Sequence, residues 1–326
     1  MNGSAHTFLR RTRGRHEGST FVPFVYFVVL LLSALLLAAC ARPAYRQVSL
    51  RTAEPSPTPL PTPSGPPPLR VAVAAILSPQ STLHTYDRLA EYLSAALDRP
   101  VELVQRATYA ETNELIRTHQ VDLAFICTGA YVRGQREFGM DLLAVPQVDG
   151  KTTYQSYIIV PADSPTQRWE DLRGGVFAFT DPLSLSGYMA ALALLKSGGE
   201  TPEGFFSRTL FTYSHDNSVR AVAEGWVDGA AVDSLVYEAL LEQDPFYRDR
   251  TRVLWESEPF GAPPVVAPRG LDPDLRARLR AVLLEMDRSW EGQEVLALLG
   301  VDRFVPGDDG LYNSARKVLE AVGESP

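Results

Sequence analysis

The run Phe179-Thr180-Asp181-Pro182-Leu183-Ser184-Leu185-Ser186-Gly187-Tyr188 joins an apolar strand-like segment to an apolar helical one. Ser184 and Ser186 offer two hydroxyls, and the helix that follows offers N–H groups with no partner inside it. Those groups carry partial positive charge, so hydroxyls and helix start together can hold an oxyanion without any lysine or arginine. The same residues also read as ordinary N-capping by a serine. Capping accounts for one serine and leaves the rest of the run unexplained.

Other polar and aromatic residues divide in the same way. Tyr109 and Tyr131 stand at helix starts, where they either pack on a sheet or line a cleft. His215 precedes Asp216, but neighbours in sequence rarely share a proton usefully, and no Gly-x-Ser-x-Gly elbow completes a triad. Asp233-Ser234 precedes an apolar helix, so N-capping competes with ligand contact there. No Gly-rich phosphate loop with lysine is present, and His84, His119 and His215 are too scattered to mark a metal site. No cofactor is expected, and an extracellular hydrolase is the weakest reading.

These residues need a scaffold, and the pattern supplies one. Apolar runs at Leu69–Leu77, Val101–Val104 and Val121–Ile126 read as strands, with helices at Thr85–Leu97, Tyr109–Thr118 and Ala130–Phe138 between and after them. A second series follows: strands at Ser156–Val160, Val176–Phe179, Leu210–Tyr213, Gly229–Val232 and Arg252–Trp255, with helices at Ser186–Lys196, Ser218–Glu224 and Ser234–Leu241. Pro263–Ala267 reads as an extended return crossing, and the end is helical. Strands separated by helices predict an α/β architecture with mostly parallel sheets. Ligands of such sheets bind beyond the carboxyl ends of the strands.

The N-terminal part makes a different statement. Arg10, Arg11, Arg13 and Arg15 precede an apolar run from Phe21 to Ala39, the layout of a secretory signal. Its end, Leu37-Ala38-Ala39-Cys40, resembles the lipobox of bacterial lipoproteins, which implies diacylglycerol on Cys40. The alternative is an uncleaved transmembrane anchor, since nineteen residues nearly span a bilayer. Either way the remainder lies outside the cytoplasm. From Glu54 to Pro68 the chain is dominated by Pro, Ser and Thr and reads as an extended spacer. Formal charge is −8 overall; removing four arginines and one acid with residues 1–39 leaves 27 basic and 38 acidic residues, a net of −11. Such a chain is a poor candidate for binding nucleic acid or anionic lipid through bulk charge, and an anion must be held by local geometry. With Cys40 assigned to lipid, Cys127 stands alone, in no disulfide framework, and reads as a small buried residue at a strand end.

Asp181-Pro182-x-Ser184-x-Ser186-Gly187-Tyr188 after a strand resembles the ligand loop of PhnD-type solute-binding proteins, which serve ABC importers of phosphonate, phosphite and phosphate. Thr108-Tyr109, Val121–Phe125, Ala130–Val132, Tyr154–Val160, Asp163–Pro165, Asp171–Gly174, Ser214–Asp216 and Gly225–Ser234 fall in the family's order. The resemblance implies a two-lobed clamshell of the type 2 periplasmic binding protein class, with a ligand cleft between lobes made of 70–158 plus 258–326 and of 159–257. Residues 1–39 are then the signal peptide and 40–69 the lipid-anchored linker. It further implies a monomer that binds a small anion and presents it to a membrane permease. Ser184 and Ser186 match hydroxyls that hold phosphonate oxygens, and the N–H groups of Ser186 and Gly187 match its backbone donors. Tyr109 and Tyr131 match first-lobe aromatics, and His215 and Asp233 match polar residues on the opposite wall. Leu185 stands where the family usually has Thr, and Cys127-Thr128-Gly129 where it often has Gly-Pro, so Thr128 can restore a hydroxyl. These departures leave sulfonate or nitrate as alternative ligands and a sensor input role as an alternative to transport.

Overall fold

The computed structural model describes residues 66–323. The expected signal segment, Cys40 and nearly all of the proline-rich spacer lie outside those residues. The described chain begins with β1 (Leu69–Val73), α1 (Pro79–Leu97), β2 (Val101–Gln105), α2 (Tyr109–Arg117), β3 (Leu123–Phe125), α3 (Thr128–Glu137) and β4 (Met140–Gln147). A two-residue strand, β5 (Thr153–Tyr154), leads to β6 (Ser156–Pro161), β7 (Val176–Phe179), α4 (Ala190–Ser197), β8 (Arg208–Phe211), α5 (His215–Ala223), β9 (Gly229–Asp233), α6 (Ser234–Gln243) and β10 (Thr251–Glu256). After β11 (Phe260–Gly261) and β12 (Val265–Pro268) come α7 (Pro273–Leu284), α8 (Trp290–Leu299), β13 (Arg303–Val305) and α9 (Asn313–Ala321).

Two sheets result. One has the order β13-β4-β12-β3-β1-β2, the other β10-β6-β9-β7-β8. In the first, β1 pairs in parallel with β2 and β3; in the second, β7 pairs in parallel with β8 and β9. The remaining pairings are antiparallel. The expectation of mostly parallel sheets is therefore corrected: both sheets are mixed. The cause is topological. β12 enters the first sheet from the second, and β6 enters the second from the first, so each incoming strand runs against the parallel trio it joins. The long strand β4 has no clear signal in the sequence, because it contains Pro146, and proline speaks against a paired strand.

Period-two alternation decides which faces are buried. Tyr157, Ile159, Ala178, Ala230 and Val232 face one apolar layer, with Val219, Val222 and Tyr237. Ile158, Val160, Phe177, Phe179 and Ala231 face the other, with Trp169, Leu195, Phe205 and Phe206. Burying each such large side chain is worth about 1.5–3 kcal/mol. A third cluster joins residues of both lobes, among them Tyr109, Ala130, Leu183, Leu185 and Tyr312, so the lobes are in contact in this structure.

Between the sheets the chain passes twice, and the passes pair with each other: Tyr154 with Phe260 and Thr153 with Gly261, antiparallel. The ribbon is braced by the Thr128 hydroxyl, which donates to Gly261 O at 2.8 Å, and by the Tyr312 hydroxyl, which donates to Ala262 O at 3.0 Å.

Candidate functional site

Six parallel strands end toward the space between the sheets. The segments beyond β1, β2, β3, β7, β8 and β9 carry Ile76, Tyr109, Thr128, Ser184–Ser186, His215 and Asp233. This is the geometry that open α/β sheets use for ligands.

The serine loop does two jobs with its two hydroxyls. Ser184 Oγ accepts from Gly187 N at 2.9 Å and caps the turn that follows. That turn, Leu185–Met189, is π-helical, with the Ala190 N–H donating to Leu185 O, and it widens the entry into α4. Ser186 Oγ is buried and makes no hydrogen bond. The expected Gly187 N–H donor is thus already used by Ser184, whereas the Ser186 hydroxyl is available. Leu185 is fully buried in the shared apolar cluster. Its methyls pack there.

Tyr109 is fully buried at the start of α2, and its hydroxyl has no partner. Burial holds its pKa well above the ordinary value, with Cys127, Asp181, Asp233 and Tyr154 adding to the effect. Tyr154 was not anticipated as a site residue. It sits in the ribbon, buried, with its hydroxyl near Thr128 and Ser186 but in hydrogen-bond geometry with neither. Burial raises its pKa as well, with Cys127 and Asp233 contributing, so both phenols remain protonated donors. Two further buried polar atoms lack partners, Asn113 Oδ1 and Ser214 Oγ, the latter beside His215.

On the opposite wall, His215 Nδ1 accepts from Asp233 N at 3.0 Å and lies 3.2 Å from Thr180 Oγ1. An accepting Nδ1 places the proton on Nε2. Burial depresses the His215 pKa to about 3, so the ring is neutral. Asp233 Oδ1 accepts from Leu235 N at 2.8 Å and Val236 N at 3.3 Å, which makes Asp233 the N-cap of α6. Its Oδ2 has no hydrogen bond among the described residues. Burial raises its pKa to about 7 against the pull of those two N–H groups. The capping and site readings of Asp233 thus coexist, one on each oxygen.

Tyr131 goes elsewhere. Its hydroxyl donates to Asp309 Oδ1 at 2.8 Å, and its ring packs on Tyr312 at 4.5 Å. The structure therefore gathers Tyr109, Thr128, Ser184, Ser186, Gly187, His215 and Asp233 near the strand ends, adds Tyr154 and Asp181, and leaves the Tyr131 hydroxyl bound to Asp309. No lysine or arginine is among the buried residues described.

Comparison with known proteins agrees with this architecture. The chain is 28% identical over 279 residues to the phosphate-import protein PhnD of Mycolicibacterium smegmatis, covering 78% of this chain and 87% of that protein. Its fold resembles the binding protein component of an ABC phosphonate transporter from Pseudomonas aeruginosa, with a TM-score of 0.75, 23% identity, and coverage of 79% and 87% of the two chains. It also resembles PhnD1 of Prochlorococcus marinus, solved in complex with methylphosphonate, with a TM-score of 0.72, 19% identity, and coverage of 79% and 98%. The likeness is one of fold, a two-lobed clamshell whose lobes are the two mixed sheets joined by a double passage. Residues 71–312 match the family model for the periplasmic substrate-binding protein of phosphonate ABC transporters, and the chain belongs to that family.

Proposed function

We propose that this extracytoplasmic binding protein holds a protonated tetrahedral phosphorus oxyanion, such as phosphate, phosphite or a small phosphonate, and presents it to a permease as a lipid-anchored monomer. The family is one of transporter binding proteins, not enzymes. The observation that carries the ligand reading is the set of buried hydroxyls without partners, Tyr109, Tyr154 and Ser186, beside the half-used carboxylate of Asp233. Each unsatisfied buried hydroxyl costs about 1–3 kcal/mol, which a bound oxyanion would recover. Among the described residues no lysine or arginine is buried, so the bonds come from neutral donors: the three hydroxyls and His215 Nε2–H. An oxyanion that still carries a proton donates it to Asp233 Oδ2, whereas sulfonate and nitrate have none to give at neutral pH.

Within this reading the lobes are 70–158 with 258–326, and 159–257. The joints lie at the Thr153–Tyr154 and Phe260–Gly261 ribbon, slightly before residue 158, because β6 sits whole in the second sheet.

Ser186 and Ser184 separate ligand binding from loop stability. Ser186→Ala removes an unpaired buried hydroxyl, so the melting temperature of the ligand-free protein should hold or rise while Kd for the best phosphorus anion rises about ten- to a hundredfold. Ser184→Ala should lower the melting temperature as well, by the loss of a cap worth about 1 kcal/mol. Titration calorimetry and thermal melts over phosphate, phosphite, methylphosphonate and methanesulfonate check both. Wild-type affinity in Ser186→Ala would refute the assignment.

The anchor is Cys40, with residues 1–39 removed as signal peptide and 40–69 serving as tether. No helix among the described residues is long and apolar enough to cross a membrane. Mass spectrometry of the mature protein should find Cys40 at the N-terminus carrying acyl chains; an intact Met1 in the membrane fraction would mean a transmembrane anchor instead.

A further inference from the structure

Asp181 lies in the second lobe just beyond β7, and it is almost completely buried. Its Oδ1 accepts from Leu183 N at 2.7 Å, at the start of the serine loop. Its Oδ2 reaches across to the first lobe and accepts from Tyr109 N at 3.1 Å. That N–H is the first of α2. The neighbouring donors are occupied locally, since Thr108 and Glu111 form a reciprocal capping box. Tyr109 N is thus an orphan donor of its own helix, and an acidic oxygen from the other lobe satisfies it where the helix dipole favours negative charge.

The bond is possible only while the lobes touch. Separated, Tyr109 N and Asp181 Oδ2 would each turn to water. Other bonds cross the same boundary: Ser78 N donates to Asp216 Oδ1 at 2.9 Å, His215 N donates to Ile76 O at 3.0 Å, and Lys196 Nζ donates to Val322 O. Asp181 differs from these in what it connects. One oxygen fixes the loop that carries Ser184 and Ser186, and the other fixes the residue that carries the Tyr109 hydroxyl.

We propose that Asp181 is the closure latch of this clamshell, a positioning residue whose carboxylate locks the serine loop of one lobe to the Tyr109 helix of the other and thereby assembles the two walls of the site. It contacts no ligand in this account. Its neighbours fit that role: Glu111, Tyr109 and Cys127 surround it and offer it no cation. Its acceptor capacity is therefore directed at backbone N–H groups.

The test measures closure rather than ligand uptake. Spin labels on exposed Glu102 and Glu224, one in each lobe, report the distribution of interlobe distances, and buried Cys127 does not compete for label. In the wild-type protein without ligand, and with phosphate as probe, closed and open populations are compared with those of Asp181→Ala and Asp181→Asn. The expected result is a closed-to-open ratio about ten- to a hundredfold lower in Asp181→Ala. Asp181→Asn, which keeps one accepting oxygen, should fall between. Melting temperatures within a few degrees of wild type exclude a folding defect; if Asp181→Ala is unfolded, Asp181→Asn alone carries the comparison. Equal ratios in all three proteins, or a wild-type distribution with no closed form under either condition, would overturn the latch. Phosphate that leaves the wild-type distribution unchanged would instead count against the proposed ligand, while the ligand-free comparison still decides the role of Asp181.

Discussion

Gly129→Ala should weaken ligand binding about ten- to a hundredfold while leaving the ligand-free protein as stable as before, or more so. Gly129 lies in the first turn of α3, with a backbone that alanine adopts freely; in a helix alanine is better than glycine by about 1 kcal/mol. The obstacle is on the other lobe. A Cβ at Gly129 would stand 2.3 Å from Leu183 O and 2.9 Å from Leu185 N. Both are backbone atoms of the serine loop, so no side chain can swing aside. Overpacking of this kind costs roughly 1–3 kcal/mol, and here the cost falls on the closed form alone. Kd for phosphate or a phosphonate should therefore rise about ten- to a hundredfold, with an unchanged or raised melting temperature. Calorimetry and thermal melts provide both numbers. Wild-type affinity in Gly129→Ala would mean that the ligand-bound lobes do not meet at this point.

The second large effect is on pH. Burial raises the folded-state pKa of Asp233 from an ordinary 3.8 to about 7. The folded ligand-free protein then holds more protons than the unfolded chain between about pH 4 and 7, so the stability contributed by this group falls as pH rises through that window. His215 works in the opposite sense. Its folded pKa of about 3 lies below the ordinary 6.5, so its contribution is present above pH 6.5 and is lost as pH falls toward 3. Above pH 6.5 only Asp233 of this pair still titrates. If the complex shares one proton between Asp233 Oδ2 and the ligand, a ligand that has lost its last acidic proton above about pH 8, such as a phosphonate dianion, must take that proton up from solvent on binding. Kd for methylphosphonate should then rise about tenfold per pH unit, whereas phosphate, which still brings one proton as its dianion, should bind with little change. In Asp233→Asn the amide supplies its own N–H, so the slope should vanish, with weaker binding than wild type at pH 6 and tighter binding at pH 9. A flat wild-type profile for methylphosphonate from pH 6 to 9 would remove the shared proton from the mechanism, and so would an unchanged slope in the variant.

Much of this site was legible because the chemistry lies where periodic segments end. The apolar runs of β1, β3, β7 and β9 announce themselves, and the loops after them hold Thr128, Ser184, Ser186 and Asp233. Tyr154 escaped because it sits in the ribbon between the lobes, where no strand-to-helix rule applies; only its place just before Ser156 marks it. Tyr131 shares its position at a helix start with Tyr109, and local pattern cannot separate them. The difference is Asp309, 178 residues farther on, which takes the Tyr131 hydroxyl and has no counterpart for Tyr109. The antiparallel strands were hidden for a similar reason. Direction within a sheet depends on which lobe the chain comes from, and a strand of alternating residues looks the same read either way. Asp181 carries no local sign of its role, because its second oxygen accepts from Tyr109 N, 72 residues earlier on the far lobe.

The paired ribbon at Thr153–Tyr154 and Phe260–Gly261 sets how discrimination works over time. If the lobes move about this ribbon, two strands bonded side by side would favour a swing about one axis over twist. Each swing returns the same N–H to the same carboxylate and the same hydroxyls to the same space, so the lobes need not search orientations to shut. A wrong anion is then not slow to be enclosed. Under the proposed function it would fail at the end of the stroke, where a hydroxyl or Asp233 Oδ2 is left unmatched, and the lobes would reopen. Selectivity in such a device resides in dwell time, in how long the lobes stay shut rather than how often they close.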